Sequence, residues 1–177
     1  TKNPVNKIDD LKGLRMRVPN ISFYLEFAKQ LGQSGQPMPF AEVPAAIDQG
    51  TIEGGDSPLA DIVAVKMYEK IKNITLSGHI LVIHGLYINN DFYAKLPPED
   101  KNIFDDAAKR SAEDVWRMAA EVEKKAIEEI TGGGGKIVDP DPAFKAALKK
   151  AGEGTWKLFY DTVPNAKEIL DSVNQYR

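Results

Sequence analysis

Cysteine is absent from all 177 residues, which rules out disulfides, thiolate metal sites and thiol nucleophiles and is compatible with an oxidising compartment. Histidine is scarce, with only two. His79 and His84 lie five apart in an extended stretch, on opposite faces of any regular strand, so they cannot ligate one metal without a bulge. No apolar run approaches the roughly eighteen residues of a membrane span, and the first residues lack the charged, apolar and small-residue order of a signal peptide. The sequence also lacks a positive excess: the formal net charge is −3, the pI is about 5.5, and no basic run offers phosphate contacts. Nucleic acid is therefore not an expected partner. What is present is ordinary for a soluble globular chain, 42% hydrophobic and 28% charged, enough for one good-sized domain or two small ones.

Glycine and proline punctuate the first part of the chain into strand-then-helix units. In "KGLRMRVPN", Lys12 to Asn20, Leu14, Met16 and Val18 alternate with Arg15 and Arg17, the period of a strand with one packed face. Both arginines share the other face. Pro19 cannot donate to a ladder and Asn20 is a good helix N-cap. Arg17 therefore stands at the carboxyl end of the strand, the edge at which open α/β sheets take ligands. "ISFYLEFAKQLG" predicts a helix on Phe23, Phe27 and Leu31 that stops at Gly32. "QPMPF" predicts a short edge strand and "AEVPAAIDQG" a brief helix closed by Gly50. "TIEGGDSP" predicts a strand breaking into a glycine turn, with Pro58 opening a helix over "PLADIVAVKMYEKI". Three such units predict a parallel sheet with crossover helices.

The middle of the chain departs from that pattern. "NITLSGHILVIHGLYIN", Asn73 to Asn89, has strand composition over a length of about 55 Å if fully extended, too long for one ordinary strand. It is read as two strands or as one that leaves its domain. From Glu99 the apolar residues Ile103, Ala107, Val115, Met118, Val122, Ala126 and Ile130 recur near helical spacing until the glycines at 132–135, predicting a helix about 50 Å long. Such an element is longer than a domain of this size needs, so it is expected to lean on further protein. "KIVDP" reads as one more strand, followed by helices around 142–151, 153–162 and 164–175.

Few side chains suggest chemistry. Arg17 either pairs with an internal carboxylate, for which Glu42, Glu53 and Asp56 are candidates, or faces a ligand carboxylate that its guanidinium fork would match bidentately. Asp139 and Asp141, separated by prolines, read as turn formers rather than cation ligands. The glycine run follows a helix and has no Lys-Ser/Thr after it, the wrong order for a phosphate cradle. No metal, nucleotide or other cofactor is expected.

The blocks "DDLKGLRMRVPN", "PMPFAEV", "IDQGTIEGGDSPLADI", "MYEKIKNITLSGHI" and "LYINNDFYAKLPPED", followed by the long helix, resemble in order and spacing the substrate-binding proteins of tripartite ATP-independent periplasmic (TRAP) transporters, the group of dicarboxylate and sialic acid binders. The resemblance implies a periplasmic, non-catalytic α/β clamp of type II periplasmic-binding-protein form. Such a clamp closes on an organic acid and delivers it to membrane subunits driven by an ion gradient. It further implies a ligand-binding lobe over 1–73 with a mostly parallel sheet, an inter-domain crossing strand over 74–90, a long spanning helix region over 91–131, and a carboxyl-terminal strand and helices over 132–177. The amino-terminal lobe of the family has no counterpart here, so the chain resembles the carboxyl-terminal portion of a receptor.

By the same resemblance Arg17 holds the substrate carboxylate, Phe40 packs on the substrate, and Asn20 is a donor that helix capping would explain equally well. Ser57 stands where the "D-G-x-E-N" block of relatives has a ligand-binding asparagine. Glu53 and Asp56 tune Arg17 or bind ligand hydroxyls. His79 matches a histidine near the domain crossing and is read as structural, and Arg15 as structural or solvent-facing. The expected partners are a small carboxylate, the TRAP membrane subunits, and either the missing lobe or a second copy. Two other readings stay open: a small α/β enzyme acting on an organic acid, and a helical interaction protein built on the long helix.

Overall fold

The computed structural model describes residues 1–174. A 3-10 turn at Ile8–Leu11 leads into β1 (Arg15–Val18), α1 (Ser22–Gln30), β2 (Ser34–Pro37), α2 (Val43–Asp48), β3 (Gly54–Gly55) and α3 (Leu59–Ala64). β1 is the centre of a three-stranded parallel sheet of order β2-β1-β3, with Arg17 opposite Gln36 on one side and Gly55 on the other. Met16 and Val18 are buried while Arg15 is exposed and Arg17 half-buried, as the alternation requires. Gly32 and Gly50, at φ 70° and 72°, take the left-handed conformation that ends α1 and α2 without a Cβ penalty.

Then follow α4 (Met67–Lys70), β4 (Asn73–Thr75), α5 (Asn90–Lys95), α6 (Pro98–Gly132), β5 (Lys136–Val138), α7 (Pro142–Glu153), α8 (Trp156–Thr162) and α9 (Ala166–Asn174). β4 and β5 form a second parallel pair. Two apolar clusters hold the molecule together. One gathers Val43, Ile47, Ile52, Met67, Tyr68, Ile71, Ile74 and Ile130; the other joins Val5, Leu11 and Leu31 to Phe144, Leu148 and Ala151 of α7.

α6 runs for 35 residues. Pro98 begins it, Glu99 and Asp100 lie in its first turn where the helix dipole favours acids, and Gly134, at φ 81°, ends it. Gly135 N–H donates to the Ile130 carbonyl and Gly134 N–H to that of Thr131, the paired bonds of a glycine-terminated helix. Only Ala126 and Ile130 of this helix are buried.

Four expectations need correction. The crossing strand expected over 74–90 is a strand only at Ile74 and Thr75; residues 76–89 have no regular structure, because among the described residues no strand runs beside them to satisfy a ladder. That segment instead ends in α5, which the sequence reading did not anticipate, capped by the Asn89 side chain accepting from Phe92 N–H at 3.0 Å. "PLADIVAVKMYEKI" is two helices, parted by a left-handed residue at Lys66, φ 50°. The row that a single helix would align with buried Ile62 carries Lys66 and Lys70, and the break turns Met67, Tyr68 and Ile71 inward instead. Asn20 does not cap α1: Ile21 is the N-cap residue and makes no side-chain cap, so Asn20 falls one residue too early. The strand expected at "QPMPF" lies upstream, at Ser34–Pro37, because Pro37 and Pro39 have no N–H to extend the ladder. Of the terminal helix expected over 164–175, residue 175 lies outside the described residues, as do the last three of the 132–177 segment.

Candidate functional site

The carboxyl ends of β1 and β3 and the loops that follow them open onto a groove of about 1100 Å³. Arg17 comes from β1, Tyr24 from the first turn of α1, Phe40 from the turn before α2, and Asp56 and Ser57 from the loop between β3 and α3. Gly55 lets that loop close in, since a Cβ there would sit 3.1 Å from the Arg17 Cβ, closer than ordinary side-chain packing allows. The groove continues to Leu81, Val82 and His84 and to Val122 and Glu123 of α6.

Arg17 is held in place but not neutralised. Its Nε donates to the Met38 carbonyl at 3.1 Å, and its guanidinium carbon lies 5.5 Å from the centre of the Phe40 ring, a cation–π distance. Burial lowers its pKa, and the neighbouring Tyr24 and Asp56 act against that shift; an arginine remains a cation throughout. Among the described residues Arg17 makes no salt bridge. Of the acids that were candidates for it, Glu42 is exposed and makes no ion pair among the described residues, and the other two face other groups. Glu53 accepts from the Arg15 backbone N–H at 3.1 Å and pairs with the Arg15 guanidinium at 3.5 Å. Asp56 Oδ2 faces His79 Nε2 at 3.8 Å. Arg15 also donates to the carbonyls of Thr51 and Gly50, which makes it a structural clamp between β1 and the turn before β3.

Of the six ligand residues expected from sequence, the groove brings together Arg17, Phe40, Asp56 and Ser57. Asn20 is exposed, and neither it nor Glu53 lines the groove. Two features went unread. Tyr24 shares the groove with Arg17; its position one turn into the helix that follows the arginine strand was the available signal. His79 faces Asp56 as a half-buried neighbour: its Nδ1 shares a 2.7 Å hydrogen bond with Ser77 Oγ, its ring stacks on Phe27 at 5.2 Å, and its Nε2 is buried without a hydrogen bond. His84 is exposed, and among the described residues no group of three His, Cys, Asp or Glu is placed to hold a metal. Asp141 caps α7 through Phe144 N–H at 2.7 Å and Asp139 pairs with Lys145 at 2.9 Å.

Residues 1–162 match the family described as bacterial extracellular solute-binding protein, family 7. A TRAP periplasmic solute-binding protein of Desulfovibrio desulfuricans, solved with bound sn-glycerol-3-phosphate, is 58% identical with a TM-score of 0.95, over 100% of this chain and 57% of its own. A second, from Haemophilus influenzae with bound L-gulonate, is 33% identical with a TM-score of 0.92, over 100% of this chain and 58% of its own. The sialic acid-binding periplasmic protein SiaP of Vibrio cholerae is 31% identical over 150 residues, 84% of this chain and 47% of its own. The chain thus spans about half the length of the relatives it matches. No helix among the described residues is long and apolar enough to cross a membrane. With the parallel α/β sheet, the long helix and a match over most of its length, the chain belongs to the bacterial extracellular solute-binding proteins of family 7, the binding proteins of TRAP transporters.

Proposed function

We propose that this chain carries the anion anchor of a periplasmic TRAP receptor, binding a small organic anion through the guanidinium of Arg17 and serving the membrane subunits of the transporter. The observation that carries this reading is the state of Arg17. It is half-buried at a groove, fixed through Nε and the Phe40 ring, and among the described residues makes no salt bridge, Asp56 acting on it only through space. A cation partly withdrawn from water without a directly paired counter-charge is costly, and an anionic ligand supplies one. Because Nε is committed to Met38, the two Nη groups form the edge that a carboxylate or phosphate would engage.

The ligands of the two solved relatives, L-gulonate and sn-glycerol-3-phosphate, are both small anions with several hydroxyls. We take that as the ligand class here. Phe40 would cover one side of the anion, Ser57 and Asp56 would meet its hydroxyls, and delivery to membrane subunits follows from the same reading. The enzyme alternative needs a base beside Arg17, and both of its candidates, Glu53 and Asp56, face other groups. Titrating the chain with sn-glycerol-3-phosphate and gulonate should give saturable binding on the order of millimolar, about 4 kcal/mol, because one open face supplies only part of the burial that a tight site needs. Equal response to sodium chloride at the same ionic strength would overturn the reading.

Ser57 should set part of the selectivity. Ser57→Asn adds an amide with two donors and more bulk at one end of the groove, so the affinities for gulonate and sn-glycerol-3-phosphate should change unequally in a calorimetric or NMR titration. Equal changes for both anions would remove Ser57 from the site.

A second expectation concerns apolar surface. Ile83 is 82% exposed, Tyr87 95% and Trp116 75%, with Leu81, Leu86 and Ile103 also bare, and large exposed apolar side chains in such number favour association. The relatives carry roughly as much chain again, which would meet this surface; alone, the chain should self-associate. Light scattering should show a mass that rises with concentration, and a constant monomer mass would contradict this.

A further inference from the structure

We infer that Tyr24 is a further ligand-binding residue of this groove and favours phosphate esters over carboxylates, its phenol donating to the oxygen that Arg17 leaves unmatched. The inference rests on the anchoring role of Arg17 proposed above. α1 presents three aromatic residues in its first two turns, and two of them have structural work: Phe23 packs on Phe159 of α8 at 6.1 Å and Phe27 stacks on His79. Tyr24 lines the groove with Arg17 and Ser57 and is half-buried.

The hydroxyls of two other tyrosines are spoken for, Tyr68 by Glu129 at 3.2 Å and Tyr93 by Asp105 at 2.8 Å. Among the described residues the Tyr24 hydroxyl has no hydrogen bond. A phenol with its ring against protein and its O–H unmatched at a groove is placed to donate to what enters. It also stands beside the anchor in the fold: Arg17 lies at the carboxyl end of β1, and Tyr24 lies in the first turn of the helix that follows it, both lining the same groove.

The head groups differ in what they leave over. A carboxylate has two oxygens, and the paired Nη groups of Arg17 match both. A phosphate monoester has three terminal oxygens, so one remains after the fork is made and needs another donor. Arg17 Nε cannot supply it, being bonded to Met38. The Tyr24 O–H can.

The test compares sn-glycerol-3-phosphate with glycerate, which keeps the three-carbon hydroxylated backbone and replaces the phosphate ester by a carboxylate. In NMR titrations of the full chain, Tyr24→Phe should weaken sn-glycerol-3-phosphate about five- to tenfold, the range of a hydrogen bond to a charged group. It should change glycerate by less than about twofold, with the melting temperature unmoved. In the unsubstituted chain, the Tyr24 ring Cζ resonance should shift more with the phosphate than with glycerate, a readout that needs no variant. Equal weakening of both anions, no weakening of either, or a Cζ shift indifferent to the head group would overturn the role of Tyr24 while leaving Arg17 as the anchor. An unsubstituted chain that binds neither anion would overturn the anchor and Tyr24 with it.

Discussion

Arg17→Lys is expected to lower the affinity of the chain for sn-glycerol-3-phosphate and for gulonate at least tenfold, about 1.4 kcal/mol or more. Lysine keeps the charge but not the geometry. Its ammonium offers one point of attachment where the guanidinium offers a planar fork, and it has no Nε to tie back to the Met38 carbonyl. The expected loss is set below the roughly 2–5 kcal/mol of a fully desolvated charge pair, because the groove is open on one side and water screens what it reaches. The fold should survive, since among the described residues the side-chain hydrogen bond removed is that to Met38, worth about 1 kcal/mol. An NMR or calorimetric titration beside a thermal melt checks both halves. Unchanged affinity in Arg17→Lys would remove Arg17 from the site.

Ile130→Ala should have the largest effect on stability, a loss on the order of 2–5 kcal/mol. Ile130 is 0% exposed and packs in the cluster of Ile52, Met67, Tyr68 and Ile74, so truncation leaves a cavity rather than a solvated gap. The surroundings fit the isoleucine closely: a Cβ on Gly135 would lie 2.5 Å from Ile130 Cγ2, so backbone already fills that side. Because α6 buries only Ala126 and Ile130, losing this contact should loosen the whole helix. Urea denaturation should show the lower midpoint, and hydrogen exchange should show earlier loss of protection across residues 119–132 than across β1. A drop no larger than that of an exposed control such as Val115→Ala would mean that α6 is not held through Ile130.

What could be read from sequence was what depends on local pattern. "RMRV" put Arg15 and Arg17 on one face because strand alternation has a strict period, and α6 could be delimited because its apolar spacing runs unbroken from one proline pair to a glycine run. The division of labour between the two arginines was not legible. It depends on the parallel register that sets β1 beside β3, with Met16 at Gly54 and Arg17 at Gly55, which brings Glu53 to Arg15 and leaves Arg17 without a salt bridge. Residues 76–89 misled for the opposite reason: strand composition reports how well side chains suit a pleated sheet, and a strand exists only where a neighbour completes its ladder. Tyr24 and the His79–Asp56 pair escaped because each joins residues from separate loops, which no spacing along the chain encodes.

Where the anion sits decides whether Arg17 is its anchor. Chemical-shift mapping of the labelled chain during addition of sn-glycerol-3-phosphate, followed through the backbone amides and the arginine Nε–H signals, tests that directly. Saturable shifts are expected at Arg17 Nε–H, at residues 55–58 and around Phe40, with Arg15 Nε–H unmoved because its guanidinium is already taken by Glu53 and the carbonyls of Thr51 and Gly50. Shifts centred instead on the lysines of α7, Lys145 and Lys149, with Arg17 silent, would contradict the anchoring role of Arg17.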